Sequence, residues 1–332
     1  MTASPQLELT TAPFLHRGLS TRRVMFEVLA SLVPVVAAAI YFFGLAAVLL
    51  VLAATAGAVL VEWAFDAQGT RALRDGSALL TGVLLALTLP PSLPMWMAFL
   101  GGAIGIGLGK TIWGGLGHNL FNPALVGRAF LQAAFPTAMT TWARPGLSFA
   151  EIRPATLAWP FMKPAADVVT TATPLGLAKF DHQYTGLWPL LAGTTAGSLG
   201  ETAGLVLIAC GLWLAIRRVF DWRLPVSTLL SVAFFSALLR AFGGEAYPGP
   251  AFMLCSGGLL LGAVYMVTDP VTTPLTPRGA WIFGAGCGLL VVLIRVFGGL
   301  PEGVMYAILL MNAVTPLINR YTQPRVFGGE GR

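Results

Sequence analysis

Ten apolar runs constrain this chain more than any other feature. Residues 24–43 carry a single charge, Glu27, and residues 45–63 carry only Glu62. A helix needs about 20 such residues to cross the hydrocarbon core of a bilayer, and fewer where it is broken. The runs are 24–43, 45–63, 77–89, 95–112, 123–140, 204–216, 225–241, 252–268, 280–297 and 304–318. Charged residues make up 10% of the chain, against about 25% in a soluble domain, and mean hydropathy is +0.77. So apolar a chain cannot present a charged surface all round, and membrane lipid must solvate much of it. The fold class that follows is an all-α integral membrane protein of about ten transmembrane helices.

The net charge of +6 reads as the Lys/Arg excess that membrane proteins keep in cytoplasmic loops. No clustered basic face suggests nucleic acid. With the N-terminus inside, Arg17, Arg22, Arg23, Arg71, Arg74, Arg217, Arg218, Arg223, Arg278, Arg320, Arg325 and Arg332 are cytoplasmic. Arg144, Arg153, Lys163 and Lys179 fall outside. Both termini are therefore expected in the cytoplasm, and no cleavable leader is expected ahead of the first span. Cys210, Cys255 and Cys287 lie in apolar stretches without a CxxC pair, which reads as buried, inert thiols rather than a metal or iron–sulfur site.

The two halves of the chain echo each other. Residues 82–90, Gly-Val-Leu-Leu-Ala-Leu-Thr-Leu-Pro, resemble 262–270, Gly-Ala-Val-Tyr-Met-Val-Thr-Asp-Pro. Gly114-Gly-Leu precedes Asn122 and Arg128, and Gly298-Gly-Leu precedes Asn312 and Arg320 in the same order. Five spans per half is an odd number, so the halves are expected to be inverted, an arrangement that puts a translocation path at their interface. The expected organisation is a cytoplasmic tail (1–23), a first five-helix repeat (24–140), an extracytoplasmic loop (141–203), a second repeat (204–319) and a second cytoplasmic tail (320–332).

Several motifs carry chemistry. Pro90 and Pro270 end or break their helices; either they mark the membrane surface, or they free carbonyls beside a cavity at depth. The latter reading has both prolines flank one cavity. The glycines from Gly101 to Gly109 suit close helix packing. Asn119 and Asn122 lie in a polar, turn-rich stretch, where their amides serve as caps and turns or face a flat heterocycle or a cation. Arg128 is costly inside a span and should be paired or face a cavity. The outside loop is too rich in aromatics for disorder, with Trp142, Trp159, Phe161 and Trp188.

That loop contains Asp-Val-Val-Thr-Thr-Ala-Thr-Pro-Leu at 167–175. Together with Asp-Gly-Ser-Ala-Leu-Leu-Thr-Gly at 75–82 and Phe-Asn-Pro-Ala-Leu-Val-Gly-Arg at 121–128, it resembles the membrane-subunit family of the Rnf D subunit and the B subunit of sodium-pumping NADH:quinone reductase. The resemblance implies covalent FMN, held through a phosphoester on the threonine ending a Ser/Thr-Gly-Ala-Thr motif, here Thr173. Thr171 stands where that motif has glycine, so Thr170 and Thr171 remain competitors. A riboflavin near Asn119 and Asn122 is implied as well. The implied function is electron transfer between ferredoxin and NAD coupled to Na⁺ or H⁺ translocation across a bacterial inner membrane. Implied partners are other Rnf subunits carrying the iron–sulfur and NAD sites, a second FMN-bearing extracytoplasmic subunit, and a flavin transferase. The short N-terminal tail points to the Rnf branch; the alternatives are a quinone-reductase B-type subunit, or a channel or transporter without redox chemistry.

Overall fold

The computed structural model describes residues 20–65, 75–146, 149, 154–160, 162, 171–201, 203–244 and 247–324. These are helical, with no strand among them. The first half contains α1 (Thr21–Phe43), α2 (Leu45–Phe65), α3 (Ser77–Leu87), α4 (Met95–Ile106, running on into a π turn at Gly107–Thr111) and α5 (Pro123–Ala134). Short helices α6 (Pro136–Met139), α7 (Pro174–Phe180) and α8 (Leu187–Ala192) follow. The second half contains α9 (Gly204–Ile216), α10 (Arg223–Gly243), α11 (Pro250–Cys255), α12 (Leu259–Leu261, running on into a π turn at Gly262–Met266), α13 (Pro277–Phe297) and α14 (Val304–Thr322).

Four of these, α1, α2, α10 and α13, are long and apolar enough to cross a membrane unaided. Their outward residues are apolar: Tyr41, Leu52, Phe234 and Ile282 are all exposed. A surface of this kind suits hydrocarbon rather than water.

Local chemistry sets the helix starts. Asn122, Thr173 and Thr276 each precede a proline, and each side-chain oxygen accepts from a backbone N–H two or three residues on. Proline at the first helical position gives up an N–H that has no partner there anyway, and the cap satisfies another. α1 starts on a Ser20 cap of the same kind.

Glycine sets the helix contacts. α2 packs on α4 so closely that a Cβ on Gly57 would meet Phe99 O at 2.0 Å, and one on Gly102 would meet Ala54 O at 2.1 Å. α10 packs on α13 in the same manner, Gly284 against Leu224 O and Gly288 against Thr228 O. Gly105 and Gly109 of the glycine run lie against Pro123. α4 also packs on α5, and α13 on α14, while α1–α9 and α5–α14 contacts join the halves.

Three expected spans depart from the sequence reading, of which 123–140 divides at Phe135 into α5 and α6. The segment 252–268 is not one helix: it breaks at Ser256–Gly257–Gly258, with Gly257 at φ 64°. The segment 95–112 finishes as a π turn. Pro270 lines the cavity beside Asn119 and Asn122, and Pro90 is not among that cavity's lining residues.

Candidate functional site

Two cavities open near opposite ends of α9. One is lined by Leu214 near the C-terminus of α9, the other by Glu201 just before its N-terminus. At 1.5 Å per residue, the thirteen-residue helix separates them by roughly 20 Å.

Lys110, Ser77, Asn119, Asn122, Tyr265 and Asp269 line the first cavity, with about 70 Å³ of enclosed room. Both π turns contribute to it, Lys110 from one and Tyr265 from the other. A π turn shifts the side chains beyond it by one place, which is a common way to aim a residue at a functional site. Lys110 is buried and pairs with the buried Glu62 of α2, bonds Ser77 Oγ, and lies 3.8 Å from Asp75. Asp75 in turn accepts from the Ser77 N–H and hydroxyl, both at 2.7 Å. Removing one member of such a buried network would strand the others.

Asn122 accepts from Ala124 N at 3.0 Å and Leu125 N at 3.4 Å, so its oxygen caps α5. Asn119 accepts from Gly117 N at 3.4 Å and donates to Phe121 O at 3.3 Å. Both asparagines are buried in this wall. With its amide turned so that nitrogen donates to Ile308 O (3.3 Å), the fully buried Asn312 of α14 accepts from Asn122 N at 3.2 Å. The two asparagines that occupy matching places in the two halves thus meet where α5 and α14 pack.

Thr173, Trp142, Glu201, Cys255, Gly257 and Glu302 line the second cavity, of about 30 Å³. Thr173 Oγ1 caps α7 by accepting from Gly176 N at 3.1 Å. The segment before it is pinned by Thr171 N, which donates to Trp142 O at 3.0 Å. α7 is pinned at its other end by Lys179, whose Nζ donates to Arg295 O (3.0 Å), Leu300 O (3.1 Å) and Gly298 O. Burial pushes the Lys179 ammonium below its ordinary pKa. Residues 167–170, including Thr170, lie outside the described residues, as do Phe161, Arg153 and Lys163.

Arg295 crosses from α13 to the helix break, donating to Met253 O at 2.7 Å and Ser256 O at 3.0 Å. It also pairs with Glu302 at 3.3 Å, whose other oxygen accepts from Gly258 N at 3.1 Å. Arg128, flagged in the sequence as needing company, donates to Thr88 O at 2.6 Å, where α3 ends. A lost helical carbonyl at membrane depth needs such a partner. Sequence reasoning missed the carboxylates Glu201 and Glu302 as neighbours of Thr173. The Ser-Gly-Gly at 256–258, placed mid-way in an apolar run, is the signal that could have found the break they surround.

Asn119 and Asn122 share one cavity wall, and Thr173 is on the other; the structure does not bring all three together. The cavity beneath Thr173 is small, and the carboxyl groups of Glu201 and Glu302 in its wall make it a poor seat for a phosphate. The hydroxyl itself lies at a helix start that suits a phosphate, next to the exposed Ala172. A phosphate therefore suits that helix start better than the interior of the cavity.

A family model described as the NQR2, RnfD, RnfE family matches residues 8–328. The chain is 42% identical over 331 residues, covering 94% of each chain, to a Stutzerimonas stutzeri protein named as the D subunit of an ion-translocating oxidoreductase complex. It is 38% identical over 335 residues, 96% of each chain, to a Clostridium ljungdahlii protein named as the D subunit of a proton-translocating ferredoxin:NAD(+) oxidoreductase complex. An Escherichia coli protein, also named as the D subunit of an ion-translocating oxidoreductase complex, is 37% identical over 344 residues, covering 96% of this chain and 98% of its own.

Proposed function

The chain belongs to the NQR2, RnfD, RnfE family, and from that premise we propose that it is the D subunit of an Rnf-type complex with covalent FMN on Thr173. The complex passes electrons between ferredoxin and NAD and moves Na⁺ or H⁺ across the bacterial inner membrane. This chain supplies a multi-pass membrane body of about ten spans in two inverted five-helix repeats, 24–140 and 204–319. The loop 141–203 and the Thr173 cavity face outward, and both terminal tails face the cytoplasm. The repeated pairings, α2 with α4 and α10 with α13, support the repeat, as does the Asn122–Asn312 contact.

One observation carries the assignment to Thr173: its hydroxyl stands on a fixed helix start at the rim of a cavity walled by the loop 141–203 and the second half. Pins at Trp142 and Lys179 hold the loop on either side of it. A flavin bound there supplies one-electron chemistry. The protein supplies place: Thr173 anchors the phosphate, Pro174 keeps the anchor extended, and Trp142 lies beside it. A riboflavin at Asn119 and Asn122, at the mouth of the cytoplasmic cavity, completes the reading. The iron–sulfur and NAD sites belong to partner subunits, a second FMN-bearing subunit meets the outward loop, and a flavin transferase attaches the FMN.

Changing Thr170, Thr171 and Thr173 singly to alanine, with the transferase co-expressed, tests the assignment. In-gel flavin fluorescence at the subunit's mass is lost in Thr173→Ala alone. Fluorescence that persists in Thr173→Ala moves the site to Thr170 or Thr171. A dark unmodified chain removes the flavin reading and favours a transporter without redox chemistry.

A further inference from the structure

The connector between α8 and α9 holds a carboxylate, Glu201, in the wall of the Thr173 cavity. Its backbone is fixed: Leu199 N donates to Leu89 O at 3.1 Å and Gly200 N to Leu87 O at 2.7 Å, at the end of α3. A Cβ on Gly200 would meet Leu87 and Leu261 at 2.9–3.1 Å, so the connector is wedged between α3 and α12. Glu201 Oε2 accepts from Ser198 N at 3.3 Å. Oε1 faces the helix break, where a Cβ on Gly258 would lie 3.2 Å from it.

The charged and titratable groups around it are Glu302 from the α13–α14 turn, Arg295 from α13, Arg128 from α5 and Cys255 from α11. Arg295 is committed to Glu302 and two carbonyls, and Arg128 donates to Thr88 O. No basic side chain among the described residues comes within ion-pair distance of Glu201. Glu302 is thus held by Arg295 and the Gly258 N–H, while Glu201 has no such cation beside it. Burial first, and the Glu302 charge second, hold the Glu201 carboxyl above the ordinary carboxylate range, against the weaker pull of Arg128.

We propose that Glu201 takes up one proton when an electron arrives at the group tethered to Thr173, and releases it when the electron leaves. This rests on the Thr173 reading above. An electron added beside a low-dielectric cavity makes a nearby anion costlier. The adjustable carboxylate answers by forming one O–H bond with a proton from the outer aqueous side, so the cavity's net charge is unchanged. On oxidation that bond breaks and the proton returns to water. The electron comes from the complex's own oxidoreductase activity.

Redox-difference infrared spectroscopy on the purified complex, poised across the potential of the tethered flavin in H₂O and D₂O, tests the proposal. Reduction is expected to add a D₂O-sensitive band of a protonated carboxyl, unaffected by replacing sodium with choline. Glu201→Gln loses the band and flattens the pH dependence of the flavin's midpoint potential; Glu201→Asp shifts the band; Glu302→Gln keeps it. In-gel fluorescence is read on every sample. A fluorescent wild-type complex with no such band, a band that survives Glu201→Gln, or a band that requires sodium overturns the proton role alone. Absence of fluorescence in the wild type overturns the role together with the Thr173 reading.

Discussion

The two cavities are built alike and charged differently. At the first, a basic residue on α4, Lys110, ties down the start of α3 through Ser77 and Asp75 and pairs with Glu62. At the second, a basic residue on α13, Arg295, ties down the break before α12 through Ser256 O and pairs with Glu302. Lys110 falls eight residues after the packing glycine Gly102, and Arg295 seven after Gly288; the π turn in α4 absorbs the extra residue. Gly76 at φ 78° and Gly257 at φ 64° start the two tied helices. Each cavity also holds a carboxylate with no ion-pair partner among the described residues: Asp269 in the first accepts from Val271 N and the Thr272 hydroxyl, whereas Glu201 in the second accepts from Ser198 N and lies beside a second carboxylate, Glu302. A buried pair holds structure, whereas a buried group without one is free to change charge.

That contrast predicts an order of effects. Lys110→Met leaves Glu62 buried without its cation, and should lower stability by about 3–5 kcal/mol, read as a fall in the thermal midpoint of the purified chain. Arg295→Met strips charged hydrogen bonds from the helix break and should cost about 2–3 kcal/mol by the same measurement. Asn122→Ala removes the α5 cap and should cost about 1 kcal/mol. Glu201→Gln breaks no ion pair among the described residues and should not lower stability at neutral pH. If it costs as much as Lys110→Met, the two ends do not differ in the way described.

The pH dependence gives the smallest effect. The Glu201 carboxyl is raised in the folded state. A raised pKa means the folded state holds its proton longer than the unfolded chain does. Its contribution is thus full below the ordinary carboxylate pKa and lost as pH rises through the raised value. The unfolding free energy of the wild type should therefore decline over that window relative to Glu201→Gln. A decline of equal size in both assigns it to other groups.

Much of the fold was legible in the sequence because it depends on composition and local chemistry. The apolar runs 24–43 and 45–63 became α1 and α2, extended by a turn or less. The Asn122–Pro123 pair became a capped helix start and the glycine run a packing surface, whereas Thr173, expected to stand clear of any helix, caps α7. What stayed hidden depends on partners far apart in sequence. Arg295 reads as a charge near a helix end until Met253 O and Ser256 O are seen across from it. Glu201 reads as a loop residue until the connector folds back onto Leu87 and Leu89. The π turns leave no periodicity signal over five residues. Around the proposed site, the capping role of Asn122 was legible in its local chemistry, whereas the carboxylates beside Thr173 were not.

The placement of the flavin is tested most directly by peptide mass mapping of the chain isolated from its assembled complex. A flavin-phosphate adduct is expected on the fragment spanning residues 171–179, with fragment ions placing it on Thr173. An unmodified Thr173 in a flavin-replete complex, or an adduct on any other residue, contradicts that placement.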